Sequence, residues 1–391
     1  MLKPGAARLY LYYHHRRRLK YINTVFWTHA YNAERTLGRA IESILNQTYS
    51  DFIYYCLDNG SNDSTWRIIC EYAAKDSRIV PLHKKMNSGS EAKMYWIQIQ
   101  NMIQRSNKDG YFAFLDADDE YNADFLEKMI SFAKENELDM AICGTKYTEN
   151  NDSVRFDFPP KTFVFNGADK VKYLPEYYKY LTRYWAILYS IKLLPTIFFQ
   201  NSIMAKNDIK KVHVNRRKKT AEFDDVLRTL NAVHISERIG VMRECLHSYY
   251  IGSNNQLSAQ YTSNWFWWVN LMQMHLRSFA LSYGEMCIDI ENFTNIRFLI
   301  WLKYILPRLQ NAKAPLKVRL RDISDIFQDE STKALLALDW KTIGIKTDKR
   351  EFLKEQLTWV QEQHGNRAVK INSKKLIRIL EYLINEASDN N

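Results

Sequence analysis

The stretch Tyr111-Phe112-Ala113-Phe114-Leu115-Asp116-Ala117-Asp118-Asp119 runs an apolar strand straight into three carboxylates spread over four positions. Aspartates offer hard oxygen ligands suited to Mg²⁺ or Mn²⁺, ions that keep open positions for substrate phosphates. The same residues also suit a solvated turn that opens the following helix, because Asp is favoured at turns and caps. Taken alone, the motif leaves both readings open.

Outward from it the chain alternates. Between Asn32 and Tyr49 the residues Leu37, Ala40, Ile41, Ile44 and Leu45 recur at helical spacing and predict a core-facing helix with Asn32 as N-cap. Phe52-Ile53-Tyr54-Tyr55-Cys56-Leu57 reads as a buried strand stopped by Asp58-Asn59-Gly60-Ser61. A helix is expected over Thr65 to Ala74, a short strand at Ile79-Val80-Pro81-Leu82 and a helix over Glu91 to Arg105. After the acidic strand come a helix carrying Leu126, Met129, Ile130 and Ala133, and a strand at Asp139-Met140-Ala141-Ile142-Cys143. Such alternation predicts an α/β fold with a mostly parallel sheet covered on both faces. In open sheets of this kind ligands sit beyond the carboxyl ends of the strands. Thr28 to Asn32, Asp58 to Ser61 and Asp116 to Asp119 therefore converge on one crevice.

The ordered segments Tyr31-Asn32-Ala33-Glu34, Arg39 to Tyr49, Leu57 to Thr65 and Leu115-Asp116-Ala117-Asp118-Asp119 together resemble family 2 glycosyltransferases of the GT-A fold. The resemblance is close from Tyr21 to Leu126 and thinner to Gln260. It implies a Rossmann-like nucleotide-sugar-binding domain over 21–260, with a nucleotide-binding half at 21–145 and an acceptor-side half at 146–260. A basic extension, 1–20, precedes it, and a helical C-terminal region, 261–391, follows.

What the resemblance implies for single residues follows its motifs. Ala30 and Tyr31 fall on the strand end that contacts the nucleotide base, and Asp58 on the acid that hydrogen-bonds it. Physically, a carboxylate accepts from the ring N–H of uracil; structurally, Asp58 also suits an Asx turn before Gly60. His29 stands where the family commonly has Pro. Asn87-Ser88-Gly89-Ser90-Glu91-Ala92-Lys93 matches a diphosphate-contacting region, with Lys93 as a point donor where Arg is usual. Asp118 matches the metal ligand and Asp116 the residue nearer the ribose or the metal's water shell, while Asp119 is either a third member or a cap. Phe223-Asp224-Asp225, followed by Val226, Leu227, Leu230 and Val233 at helical spacing, resembles the acid pair that supplies the catalytic base. Asp225 takes that role and Asp224 replaces the usual Glu, though a plain helix cap has the same form. His247-Ser248-Tyr249-Tyr250 resembles the closing segment of the catalytic domain, with His247 expected as a core residue.

Bulk properties narrow the alternatives. Five cysteines without a Cys-x-x-Cys pair argue against a disulfide framework or zinc site and for a reducing, cytoplasmic compartment. His14-His15-Arg16-Arg17-Arg18 interrupts what a signal peptide would need, and the longest apolar runs fall short of the roughly 20 residues of a spanning helix. A net charge of +11 implies an anionic partner without choosing one. No dinucleotide, P-loop, zinc-finger or RNP motif occurs, so nucleic acid is not expected.

The stretch Val154 to Lys219 reads as irregular and ends in the basic run Asn215 to Lys219. Beyond Gln260 the chain reads as helical, from Trp265-Phe266-Trp267-Trp268 to the stripe Leu376, Ile379, Leu380, Leu383 and Ala387. These helices, with Lys313, Lys317, Arg319 and Arg321, are candidates for acceptor binding, homo-oligomer formation or peripheral attachment to the inner membrane face. The expected function is metal-dependent, inverting transfer from a UDP-linked sugar, with Mn²⁺ or Mg²⁺, to a glycan or glycolipid acceptor. Two rival readings fit the residues less well. A haloacid-dehalogenase-type phosphatase needs Thr or Val at the position of Asp119, and a binding module that has lost turnover and holds an anionic glycan or lipid would not need Asp116, Asp118 and Asp225.

Overall fold

Strand β1, Thr24–Ala30, is buried at every position except His29. A strand apolar on both faces belongs inside a sheet, and β1 lies between two parallel neighbours, β2 (Ile53–Asp58) and β4 (Tyr111–Phe114). β3 (Ile79–His83) extends the parallel set beyond β2. On the other flank β9 (Ile187–Ser190) runs antiparallel between β4 and β6 (Met140–Thr148), and β10 (Arg238–Tyr250) pairs in parallel with β6. The short strands β5 (Glu120–Tyr121), β7 (Val154–Asp157) and β8 (Phe163–Asn166) add antiparallel pairs to β10, β6 and β10. Among the described residues the result is one ten-stranded sheet whose main order is β3-β2-β1-β4-β9-β6-β10-β5. β1 to β4, β6 and β10 share one direction, so the mostly parallel sheet expected from the sequence is present.

This architecture is that of a computed structural model, which describes residues 24–86, 109–149, 153–181, 183–194, 224–251, 265–284, 287–365 and 369–389. The expected helix over Glu91 to Arg105, the basic segments 1–20 and 215–219, and Lys93 lie outside the described residues.

Helix α1, Leu37–Leu45, buries Leu37, Ala40, Ile41 and Ile44, the stripe expected from its spacing. Burying side chains of this size contributes roughly 1.5–3 kcal/mol each for Leu and Ile. The helix α2, Thr65–Lys75, buries Thr65 and Ile69, and α3, Phe125–Glu135, buries Phe125, Leu126, Met129, Ile130 and Ala133. An aromatic cluster fastens α3 to the sheet: the Phe125 ring lies 6.4 Å from that of Phe26 and stacks on Tyr121 at 3.7 Å. Gly240 in β10 permits the close approach of α3, since a Cβ there would lie 2.7 Å from the Phe132 ring.

Two expectations change. Asn32 does not cap α1; it sits at φ 50°, its N–H bonds Ser61 Oγ and its side chain accepts from Asn62, while Thr36 precedes the helix. Local pairing with the 61–65 turn outcompetes capping, and the helix starts five residues later. The stretch from Val154 is not irregular throughout, because it contributes β7, β8 and the central strand β9. β9 is fully buried, and its sequence Ile187-Leu188-Tyr189-Ser190 sits inside an apolar run too short to separate strand from helix by periodicity.

The chain divides at residue 253 into two compact units. The second is helical: α5 (Trp265–Ser282) to α10 (Lys370–Asp389), with α6 (Ile288–Asn311), α7 (Leu316–Gln328), α8 (Glu330–Ala337) and α9 (Lys349–Gln363) between. Its core gathers Leu302, Ile305, Leu306, Leu320, Ile323, Phe327, Leu353, Leu376 and Leu380. Asp329 and Asp348 cap α8 and α9 by accepting from Ser331 and Glu351 main-chain N–H groups at 2.8 and 2.7 Å. Arg321 is paired with Asp322 and Arg319 bonds the Gln310 carbonyl, so part of the basic cluster is engaged within the unit. Among the described residues no helix is long and apolar enough to cross a membrane.

Candidate active site

The acidic turn leaves β4 beside the end of β1, where Leu115 N–H donates to the Trp27 carbonyl at 3.0 Å. Asp116, Asp118 and Asp119 then fold back so that one carboxylate oxygen from each lies within 4.8 Å of the others. Three acids this close, on hard oxygen ligands, suit a divalent cation. Their electrostatics fit one too. Burial and the neighbouring Asp118 push the Asp116 carboxyl up to about 6, although hydrogen bonds from Tyr184 and Trp185 pull the other way. Burial, then Asp116 and Asp118, raise Asp119 well above its ordinary value. Asp119 Oδ2 is buried without a hydrogen-bond partner among the described residues, an unsatisfied oxygen that a cation would satisfy.

Asp119 proves to be a buried brace and not a surface cap. Its Oδ1 accepts from the Tyr250 N–H at 3.3 Å, and its Oδ2 lies 3.3 Å from His247 Nε2. His247 is fully buried, stacks on Trp185 at 4.5 Å and is held neutral because burial, then Arg183, pushes its pKa well below the usual value. The Asp119–His247 contact is therefore close packing of two polar groups and not an ion pair.

The chain positions the turn from three sides. Arg39 on α1 donates to the Asp118 carbonyl, pairs with Glu120 at 2.7 Å and lies 3.8 Å over the Tyr250 ring. Tyr184 donates from its hydroxyl to Asp116 Oδ1 at 2.6 Å. Tyr121 donates to the Phe114 carbonyl at 2.6 Å and accepts from Ala186 N–H at 3.2 Å, which locks β5 against β4 and the bend before β9. Arg39 and Tyr184 carry no sequence signal of these roles, because each acts across more than sixty residues of chain, as does the Tyr121 bond to Ala186.

At the ends of β1 and β2, Ala30 and Asp58 stand side by side in register. Tyr31 follows, 44% exposed, on a loop clipped to the start of α2: Ala33 N–H bonds Thr65 Oγ1 at 2.8 Å and Glu34 N–H bonds Asp63 Oδ2 at 3.1 Å. Asp58 is fully buried; its Oδ1 accepts from Ser61 N–H at 3.0 Å, three residues on and one past the bond of an Asx turn, with Gly60 at φ 78°. Its Oδ2 accepts from His83, a residue the sequence did not single out. Asp224 and Asp225 stand at the start of helix α4, Asp224–Ile235, as their spacing predicts. Their side chains lie outside the described residues.

Residues 28–191 match the family described as glycosyl transferase family 2. The chain carries a family 2 glycosyltransferase domain with the GT-A fold. All of β1's end, the Asp58 turn and the acidic turn fall within that domain. Among relatives, the uncharacterised glycosyltransferase EpsJ of Bacillus subtilis is 26% identical over 240 residues, 59% of this chain and 62% of its own. An Escherichia coli enzyme, UDP-Glc:alpha-D-GlcNAc-diphosphoundecaprenol beta-1,3-glucosyltransferase WfgD, is 29% identical over 137 residues, 35% of this chain and 51% of its own. The match thus spans only 51–62% of these relatives' length. The fold is also that of S. aureus TarS, solved with UDP-GlcNAc, at a TM-score of 0.56 and 17% identity over 86% of this chain and 92% of that one.

Proposed function

We propose that the protein is a metal-dependent, inverting glycosyltransferase that moves a hexosyl or N-acetylhexosaminyl group from a UDP-linked donor to a glycan or glycolipid acceptor. The observation that carries this reading is the convergence of Asp116, Asp118 and Asp119 within 4.8 Å at the end of β4, on the flank of β1 opposite the strand that presents Asp58. In this reading Asp118 is the principal ligand of Mn²⁺ or Mg²⁺ and Asp116 contacts the ribose or the metal's water shell. When bound, the cation supplies Lewis-acid neutralisation of the departing diphosphate. Ala30, Tyr31 and the Asp58 turn hold the base, and Lys93 supplies charge to the diphosphate. Asp225, beside Asp224, takes the proton of the acceptor hydroxyl as that oxygen attacks the anomeric carbon from the face opposite the diphosphate, which leaves with its bonding electron pair.

The relatives' names support a place in cell-surface glycan synthesis, with the catalytic domain over 21–260 and the helical region 261–391 serving acceptor binding, self-association or attachment to the inner membrane face. The test is a thermal-shift series with UDP-, GDP-, dTDP- and CMP-sugars, with and without Mn²⁺, since a ligand of the native state raises stability with the logarithm of its concentration. The largest shift is expected for a UDP-sugar with Mn²⁺. A different winner overturns the UDP assignment, and no shift with any donor overturns the reading as a whole.

A further inference from the structure

Three parallel strands end in one row. Ala30 on β1 is in register with Asp58 on β2, and Asp58 is in register with His83 on β3. Only one member of the row is open: Ala30 and Asp58 are fully buried, whereas the His83 side chain is 36% exposed. His83 Nδ1–H donates to Asp58 Oδ2 at 2.8 Å, and the imidazole packs against Trp66 of α2, the ring centroids 4.6 Å apart and the planes tilted by 32°.

This pairing fixes the tautomer. A carboxylate only accepts, so the tautomer that pairs with Asp58 carries its proton on Nδ1 and its lone pair on Nε2, which has no hydrogen-bond partner among the described residues. The ring cannot rotate to exchange its nitrogens without breaking both the Asp58 bond and the Trp66 contact. A buried Asp that accepts from one ring nitrogen and leaves the other as a fixed acceptor is an orienting group, and the imidazole is the reading head.

We propose that His83, and not Asp58 directly, reads the nucleobase of the donor: its Nε2 accepts the ring N–H of uracil at N3, while Asp58 is the positioning residue that holds the imidazole in that tautomer. The inference rests on the reading of the site as one for a UDP-linked donor. Asp58 is spent on Ser61 and His83 and has no surface to offer, whereas His83 lies at the same strand ends, partly open, in the row that begins at Ala30 and leads to the exposed Tyr31.

The experiment compares binding of UDP with that of N3-methyl-UDP, which lacks the ring N–H, by calorimetry in the presence of Mn²⁺. The wild-type chain is expected to prefer UDP by about tenfold or more, because a site built to receive an N–H rejects the analogue that lacks it. His83→Phe keeps a ring to pack against Trp66 but no acceptor, and it is expected to bind the two ligands within about twofold of each other. A merely structural histidine would lower both affinities and leave their ratio unchanged. Preference retained in His83→Phe overturns the inference, as does a wild-type chain that does not distinguish the ligands. Should His83→Phe not fold, nitrogen NMR of the wild-type histidines decides: the unprotonated Nε2 resonance of His83 moves on addition of UDP and not of N3-methyl-UDP, and the absence of that difference overturns the inference. Failure of the wild-type chain to bind UDP at all overturns the donor reading itself, so the two failures are told apart.

Discussion

The guanidinium of Arg39 donates from Nη2 to the main-chain carbonyl of Asp118 at 2.6 Å, across 79 positions of sequence. A helix that packs by its apolar stripe thus also fixes the turn that carries the carboxylates. The same guanidinium pairs with Glu120, which accepts in turn from the Tyr250 hydroxyl at 2.6 Å, while the Tyr250 N–H bonds Asp119. Helix α1, the acidic turn and the end of β10 are one hydrogen-bonded unit.

Removing that clamp is expected to loosen the turn without emptying it. Arg39→Ala should weaken Mn²⁺ binding by roughly 10- to 100-fold, the usual effect of losing a group that orients ligands. Arg39→Lys should recover little, since an ammonium cannot donate in two directions from one plane. Calorimetric titration with Mn²⁺ reads both, and affinities equal to wild type would show that the turn holds its shape unaided.

Asp118→Ala is expected to abolish metal-dependent binding of a nucleotide-sugar while the melting temperature of the metal-free protein stays the same or rises. Removing one of three clustered carboxylates relieves the repulsion that pushes Asp116 and Asp119 upward. Full transfer activity in this variant would remove the residue from the metal site.

Much of this site was legible because its residues lie at strand ends, where apolar runs stop and acids begin. The buried strands β2 and β4, the stripe of α1 and the Asp116-Ala117-Asp118-Asp119 turn all follow from hydrophobic patterning plus one charge cluster. What was not legible depends on register and long-range pairing. His83 meets Asp58 only because β3 aligns with β2 residue for residue, and nothing in the composition of Ile79 to His83 announces that alignment. Asn32 looked like a cap because it precedes an amphipathic stretch, yet it spends its polar groups on Ser61 and Asn62. β9 hid in an apolar run because a fully buried strand lacks the alternation that marks a half-buried one.

His275 gives the helical unit a dependence on acid. It is 3% exposed, its Nδ1 has no partner among the described residues, and burial lowers its pKa from 6.5 to about 4. The fold favours the neutral ring, so this contribution to stability is fully present above pH 6.5 and is lost as pH falls from 6.5 towards 4. Over that window the loss amounts to about 3 kcal/mol. Calorimetric melts of the full chain between pH 7 and 4 should show the helical unit's transition falling, and His275→Leu should flatten its slope. An unchanged slope in the variant would assign the acid sensitivity to other groups.

Asp225 stands second in the helix Asp224–Ile235, where an acid pair also serves the helix dipole, so a structural and a catalytic role must be separated by experiment. Asn at this position preserves size and much of the capping ability. A purely structural Asp225 therefore predicts a mild loss of stability and near-normal rates for Asp225→Asn. As general base, the carboxylate acts only when the acceptor hydroxyl gives up its proton and does not hold the donor. Transfer should then fall by a factor on the order of 10² to 10⁴ while UDP and Mn²⁺ affinities stay close to wild type. Rate and affinity measured on the same preparation separate the two, and transfer above about a third of the normal rate would return Asp225 to the status of a helix cap, because a lost base costs far more than that.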